Sequence, residues 1–458
     1  MTPSEVPAPS QAGGRLVSVR TDLVELWKLA WPVVLARLGI MAMGLSDALV
    51  VGRYSARELG FHALAWAPTS VVVTMSVGLL AGVQVMTARV IGQGRRELAG
   101  AVLRRGLAYS LWIGAVSTGI TILFGPILLH HLGLGQGLAD GASRPLIVFA
   151  FSLPGYAVSV AASFWLEGLS RPKAAAAMMW VANGVNLAVD LLLVPGTFGL
   201  PALGAVGGAW ATTCARTFLA AALLIYIARM PEARELGVFA KPEPDRAAEA
   251  EQRRIGFGAG ASNFFEVASF ASMNVIAGWI GGLAVAAWAI TLNVAAIVFM
   301  VPLGLSTAAA VLVGRAYGAR DMKGVDRAAL VAFGVTAVFG LGVSLIVWLG
   351  AGLMARGYTG DAATLALAVP AVALSALMLV PDALQVVCAQ ALRARGDVWV
   401  PSVTHLASYV FVMSPLAWWL AIPMGLGLMG VVWAVVAASF LSAVLLLSRF
   451  KYLSVMNA

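Results

Sequence analysis

The chain has 458 residues, 60% hydrophobic and 11% charged, against roughly 45–50% and about 25% for a soluble globular chain. That composition excludes a soluble fold, and a β-barrel is excluded because its spans would alternate apolar and polar residues. The net charge of +9 comes from Lys and Arg in short loops between apolar runs, so it reports membrane topology and not a nucleic-acid-binding face.

In chain order, residues 1–25 read as a disordered cytosolic tail, with no apolar core and cleavage site of the kind that marks a signal peptide. Apolar runs of about 20 residues, each long enough to cross a ~30 Å hydrocarbon core, then recur. They fall at 31–51, 64–88, 106–127, 145–167, 175–195, 205–228, 257–280, 284–312, 328–352, 364–391, 401–422 and 426–448. The expected fold is an all-α integral membrane protein of twelve transmembrane helices in two pseudo-symmetric six-helix lobes. Its parts are an N-lobe (26–228), a solvated cytoplasmic linker (229–255), a C-lobe (256–450) and a cytosolic C-terminus (451–458).

Of the 30 Lys and Arg, Arg53, Arg57, Arg144 and Arg356 fall in odd-numbered loops and Arg37 and Arg216 within spans. All others lie in the tails and even-numbered loops, so the positive-inside bias places both termini in the cytoplasm.

An internal repeat supports the two lobes. GLLAGVQVMTARVIGQGR from Gly78 and GLSTAAAVLVGRAYGARD from Gly304 pair Arg89 with Arg315 and Gly92 with Gly318, an offset of 226. LGAVGGAWA from Leu203 and LGLMGVVWA from Leu426 pair Gly207 with Gly430 and Trp210 with Trp433, an offset of 223. Halves with an even number of spans share one orientation, the architecture of transporters that rock two bundles about a central site.

Carboxylates within a bilayer cost roughly 2.5–3.5 kcal/mol on insertion scales, so those inside spans are candidates for function. Asp47, Asp190, Glu266 and Asp382 qualify. Asn186 and Asp190 are four apart on one helix face, where they can share an ion or proton with Asp47 or simply join two helices. Glu266 follows Phe264 and Phe265, whose rings suit a lipophilic cation or face lipid. Asp382 follows Pro381, expected to kink its helix, and Gln385 lies one turn on. By the offsets, Asp47 pairs with Met273 and Asp190 with Met413, so each half owns a different acidic site. His62, His130, His131 and His405 read as interfacial, and neither Cys214 nor Cys388 reads as catalytic.

Several motifs resemble a known family. LAWP (29–32), SDALVVGR (46–53), NLAVD (186–190), GAVGGAWAT (204–212), FFEVASF (264–270), FMVPLGLSTAAAVLVG (299–314) and PDALQVVCAQALRARGD (381–397) resemble the multidrug and toxic compound extrusion (MATE) transporters, NorM-like branch, of the MOP flippase superfamily. The resemblance implies a monomeric, multi-pass protein of the bacterial inner membrane, in contact with lipid. It would export lipophilic or cationic small molecules in exchange for H+ or Na+, with no cofactor and no catalysis. It assigns Asp47, Asn186, Asp190 and Thr212 to ion coupling in the N-lobe, and Glu266 and Asp382, with Gln385 and Phe265 beside them, to cation or substrate binding in the C-lobe. Na+ would sit at Glu266 and Asp382 or at Asp47 and Asp190. The tyrosine that family members place one turn before the second acid is Met378 here. The alternative is a lipid or glycan-precursor flippase of the same superfamily. A membrane enzyme would call for a His, Ser or Cys constellation or paired metal ligands, and a passive channel for rings of like residues.

Overall fold

The computed structural model describes residues 11–131, 136–241 and 244–456. These form twelve long helices: α1 (Gln11–Tyr54), α2 (Ala56–Gly92), α3 (Ala99–His131), α4 (Gln136–Gly168), α5 (Pro172–Leu193), α6 (Ala205–Arg229), α7 (Arg246–Ile280), α8 (Gly282–Gly318), α9 (Met322–Tyr358), α10 (Ala362–Ala394), α11 (Trp399–Ala421) and α12 (Leu428–Met456). In hydrocarbon every backbone donor needs an internal partner, which the helix supplies. Eleven of the twelve pass as membrane spans by length and hydropathy. The exception, α7, carries Gln252, Ser262, Asn263, Glu266 and Ser269 along 35 residues, and its polar side chains turn inward where the halves meet.

The helices outrun the predicted apolar cores. α2 has 37 residues, about 55 Å at 1.5 Å per residue, so it projects past the bilayer into the loops. Polar caps set several ends. Ser55, Asp245, Asp321 and Asp361 accept from the backbone N–H groups of Glu58, Ala248, Gly324 and Thr364, satisfying donors that the first helical turn leaves open.

The repeat is one of structure as well as sequence. The Thr118 hydroxyl donates to the Ala150 carbonyl at 2.9 Å, and Ser344, 226 residues on, donates to Ala376 at 2.8 Å. Positive-φ residues also recur in register: Gly94 with Arg320, Ser170 with Gly396, and Gly204 with Gly427. In the first half α4 packs on α2, α3 and α6, and in the second α10 packs on α8, α9 and α12. The outermost faces of α3 and α9 expose Leu123, Phe124, Leu345 and Leu349, as lipid contact requires.

The two halves meet through α1 on α8 and α2 on α7 and α8, pairings that a two-fold exchange of lobes interconverts. Arg89 pairs with Glu251 at 3.3 Å, and its repeat mate Arg315 pairs with Glu25 at 3.0 Å. Gly92 lies so close to Arg315 that a Cβ there would collide with its carbonyl, and Gly318 stands in the same relation to Arg89. Arg89 further donates to the Ala394 and Arg393 carbonyls at 3.1 Å each. These locks sit at the ends of α2 and α8 beside the inter-lobe linker. An apolar cluster beneath them, including Leu26, Leu29, Val85, Leu305 and Val387, seals the seam.

Three expectations change. Residues 11–25 are helical and extend α1, with Asp22 and Glu25 paired to Arg327 and Arg315. Residues 1–10 lie outside the described residues. The linker is docked where the sequence suggested solvation. Met230, Ala233 and Leu236 are buried in the N-lobe core, Arg104 donates to the Gly237 and Val238 carbonyls, and residues 246–255 form the first turns of α7. Two hydrogen bonds from Arg171 hold the Glu232 carboxyl below the usual carboxylate range. Finally, α11 contains a π-helical stretch, Leu406–Met413, which accommodates an extra residue. The loop before α6 bonds Leu203 to Leu193 and Gly204 to Val194, whereas its mate bonds Leu426 to Leu420 and Gly427 to Ala421. The offset at that end is therefore 227, and the mate of Asp190 is Ala417, not Met413. Met273, Met413 and Ala417 are all fully buried.

Candidate functional site

In the N-lobe, Asp47 near the end of α1, Asn186 and Asp190 on α5 and Thr212 on α6 converge. Asn186 Nδ2 donates to Asp47 Oδ1 at 2.8 Å, Thr212 Oγ1 donates to Asp47 Oδ2 at 2.5 Å, and Ser46 Oγ donates to Asn186 Oδ1 at 3.1 Å. Asp190 is fully buried beside Asp47 and Ser46, and neither of its oxygens has a hydrogen bond of good geometry. The four apart spacing on α5 delivers both polar side chains to one face, and the small residues Gly207, Gly208 and Ala209 let α6 approach closely enough for Thr212 to reach Asp47.

Next to Asp47 lies a cavity of about 220 Å³ lined by His62, Trp66, Tyr156, Thr212 and Arg216 among others. His62 is 6% exposed, so it belongs to this cavity and not to the membrane interface. His405 is buried too, on α11, and the interfacial reading fails for both. His62 lies beyond the predicted edge at residue 64, but α2 begins at Ala56 and still carries it into the bundle, whereas His405 lies within its span and is turned inward by the packing of α11, edge-on to Tyr409.

In the C-lobe, Glu266 on α7 and Asp382 on α10 lie in each other's electrostatic field. Gln385 Nε2 and the Tyr409 hydroxyl each reach Asp382 Oδ1 at 3.4 Å, long contacts that leave the carboxylate room for another partner. The helix continues through Pro370 and Pro381. The phenol absent at Met378 is supplied by Tyr409, from the π-helical part of α11, a contribution no spacing along α10 could reveal. Phe265 packs edge-on against Phe264, and the ring that reaches the acid is Tyr409.

A further buried acid escaped the sequence reading. Glu167, at the edge of a predicted span, is 3% exposed and accepts from Gln84 Nε2 at 2.7 Å, with Arg37 in its field. Its repeat mate is Arg393, which donates to Ser262 and lies in the field of Glu266. Acid and base exchange places between the lobes. Among the described residues, no group of three or more His, Cys, Asp or Glu side chains is arranged to hold a metal ion; the acids come in pairs, supplemented by amide and hydroxyl oxygens.

Two bundles of six helices, related by a repeat and each holding a buried pair of carboxylates, define a two-lobed membrane transporter. The comparisons agree. The MatE family model matches residues 32–192 and again 259–419, once per lobe. A Caulobacter vibrioides protein called "Probable multidrug resistance protein NorM" is 62% identical over 435 residues, covering 95% of this chain and 92% of its own length. A Pseudomonas aeruginosa protein, "Multidrug resistance protein PmpM", is 30% identical over 92% of this chain and 87% of its own. The fold matches an "Outward-facing conformation of a multidrug resistance MATE family transporter of the MOP superfamily" with a TM-score of 0.88 at 19% identity, over 95% of this chain and 96% of the other. The chain belongs to the MatE family and is a NorM-like MATE transporter.

Proposed function

We propose that this chain is a secondary active multidrug antiporter that exports lipophilic or cationic compounds in exchange for inward H+ or Na+, by alternating access of its two lobes. The multidrug names of its NorM relatives support the substrate class. The coupling reading is carried by one observation: Asp47 and Asp190 stand side by side in an apolar bundle, with Asn186 and Thr212 donating to the first. Neighbouring buried carboxylates call for a shared proton or a bound cation. A site so occupied binds a cationic drug less well, and that mutual exclusion couples the two fluxes. The C-lobe pair, Glu266 and Asp382, serves cation or substrate binding. Access alternates when the Arg89–Glu251 and Arg315–Glu25 locks open and the opposite face closes. The positive-inside bias puts those locks and both termini on the cytoplasmic side of a bacterial inner membrane, and one chain, surrounded by lipid, is the working unit.

The test is efflux of a fluorescent lipophilic cation from proteoliposomes, with proton and sodium gradients imposed separately. Drive by one gradient, abolished in Asp47→Asn, supports the reading and names the ion. No efflux under either gradient overturns it in favour of a flippase, for which an anionic lipid is the substrate to try.

A further inference from the structure

The N-lobe cavity contains a charge that ion coupling does not use. Arg216 on α6 is 4% exposed, and among the described residues no carboxylate lies within ion-pair distance of it. Its guanidinium is held in place by other means. One nitrogen donates to Ser152 Oγ at 2.8 Å, and the plane sits 5.3 Å from the Trp66 ring centroid and 4.7 Å from that of Tyr156. Ser152 is itself fixed to the Phe149 carbonyl at 2.6 Å. Arg216 thus has one hydrogen bond for five N–H donors, and it lines the cavity of about 220 Å³ that also holds Asp47. Asp47 is already engaged by Asn186 and Thr212, and acts on Arg216 only through space.

A buried cation without a bonded counter-charge carries a large desolvation penalty, so it is retained where something negative arrives. The planar fork of arginine matches a carboxylate in a two-point contact. The repeat sharpens the contrast. At the established offsets Tyr156 is the mate of Asp382 and Arg216 the mate of Ser439, which stands beside Asp382. Where the C-lobe places an acid next to a hydroxyl, the N-lobe places a base on an aromatic ring. Arg37 lies on α1 over the Phe164 ring, and both arginines act on Tyr156.

We propose that Arg216, clamped between Trp66 and Tyr156, is a specificity-determining residue of the N-lobe cavity, the side chain on which the carboxylate of a substrate that carries one docks. This rests on the transport reading and assigns one contact within it.

The test uses the full-length protein in nanodiscs and a xanthylium dye in two forms, the free carboxylate (a zwitterion) and its methyl ester (a cation), with affinity read by fluorescence anisotropy. The expected result is tighter binding of the carboxylate than of the ester by wild type, and a fall in that preference of at least tenfold in Arg216→Gln, with partial recovery in Arg216→Lys. Wild-type protein that binds the ester as tightly as the carboxylate overturns the subsite whatever the variants do, so a poorly folding variant does not shelter it. An unchanged preference in a folded Arg216→Gln also overturns it, while ester binding by wild type leaves the transport reading standing. Binding of neither dye removes the transport reading and the subsite together.

Discussion

Substituting Gly92 by alanine should open the seam on the side of the termini. A Cβ there would stand 2.7 Å from the Arg315 carbonyl carbon and 2.8 Å from its Cα, closer still to the oxygen, whereas ordinary contact begins near 3.4 Å. The obstacle is helix backbone, which moves only as a rigid unit. Relief therefore requires α2 and α8 to separate, and overpacking of this size costs about 1–3 kcal/mol. The closed arrangement alone bears this cost, because opening parts the two helices. The ratio of closed to open molecules should fall by roughly 5- to 150-fold. Gly318→Ala should do the same, since its Cβ would stand 2.9 Å from the Arg89 carbonyl carbon in the mirror-image contact. Gly119→Ala, with nothing within 4 Å, is the control. The assay is electron-electron resonance between spin labels at Arg96→Cys and Lys323→Cys, in a background with Cys214 and Cys388 replaced by serine. A longer distance population in both seam variants and not in the control is expected. An unchanged distribution would refute the claim that this contact holds the seam shut.

Thr212→Val removes a donor 2.5 Å from Asp47 Oδ2. A hydrogen bond to a charged group contributes about 1.5–3 kcal/mol, so gradient-driven efflux in proteoliposomes should slow by roughly tenfold or more, with Thr212→Ser near wild type; equal rates for valine would exclude this bond from coupling. Glu266→Gln or Asp382→Asn should abolish export of a lipophilic cation while membrane expression persists, and unchanged transport in both would sink the C-lobe assignment. Gln84→Leu strips Glu167 of its 2.7 Å donor, leaving a buried acceptor unmet at a cost of about 1–3 kcal/mol. Its thermal midpoint in detergent should drop, and Gln84→Asn is expected to recover less than the parent because the shorter side chain does not reach.

Much of the site could be read in the sequence because the membrane penalises charge so heavily that Asp47, Asp190, Glu266 and Asp382 stood out against apolar neighbours. Helical spacing then placed Asn186 with Asp190, and Gln385 with Asp382. What escaped lay either at a misjudged boundary or on a distant helix. Glu167, the last residue of a predicted span, was not singled out, and His62 read as interfacial because the apolar run starts after its helix does. Tyr409 is 27 positions from Asp382, and only the packing of α11 on the rest of the C-lobe brings the phenol to the acid. The tail and linker differ from expectation for a related reason: their polar residues suggest solvation, but Glu25 and Glu251 pair with the opposite lobe and Glu232 pairs with Arg171.

Composition and periodicity alone determined the twelve spans, the repeat and the side on which basic loops gather, because these follow from the one-dimensional distribution of apolar and charged residues relative to a bilayer of fixed thickness. Tertiary structure decided which charges meet. The exchange of the Arg89–Glu251 and Arg315–Glu25 pairs between lobes, the engagement of Asp47 by two other helices, and the stacking of Arg216 between two rings with its remaining donors on a cavity all depend on helix packing. Hydrogen bonds and ion pairs act over a few ångströms, and residues more than a hundred positions apart reach that range only when the bundle closes around them.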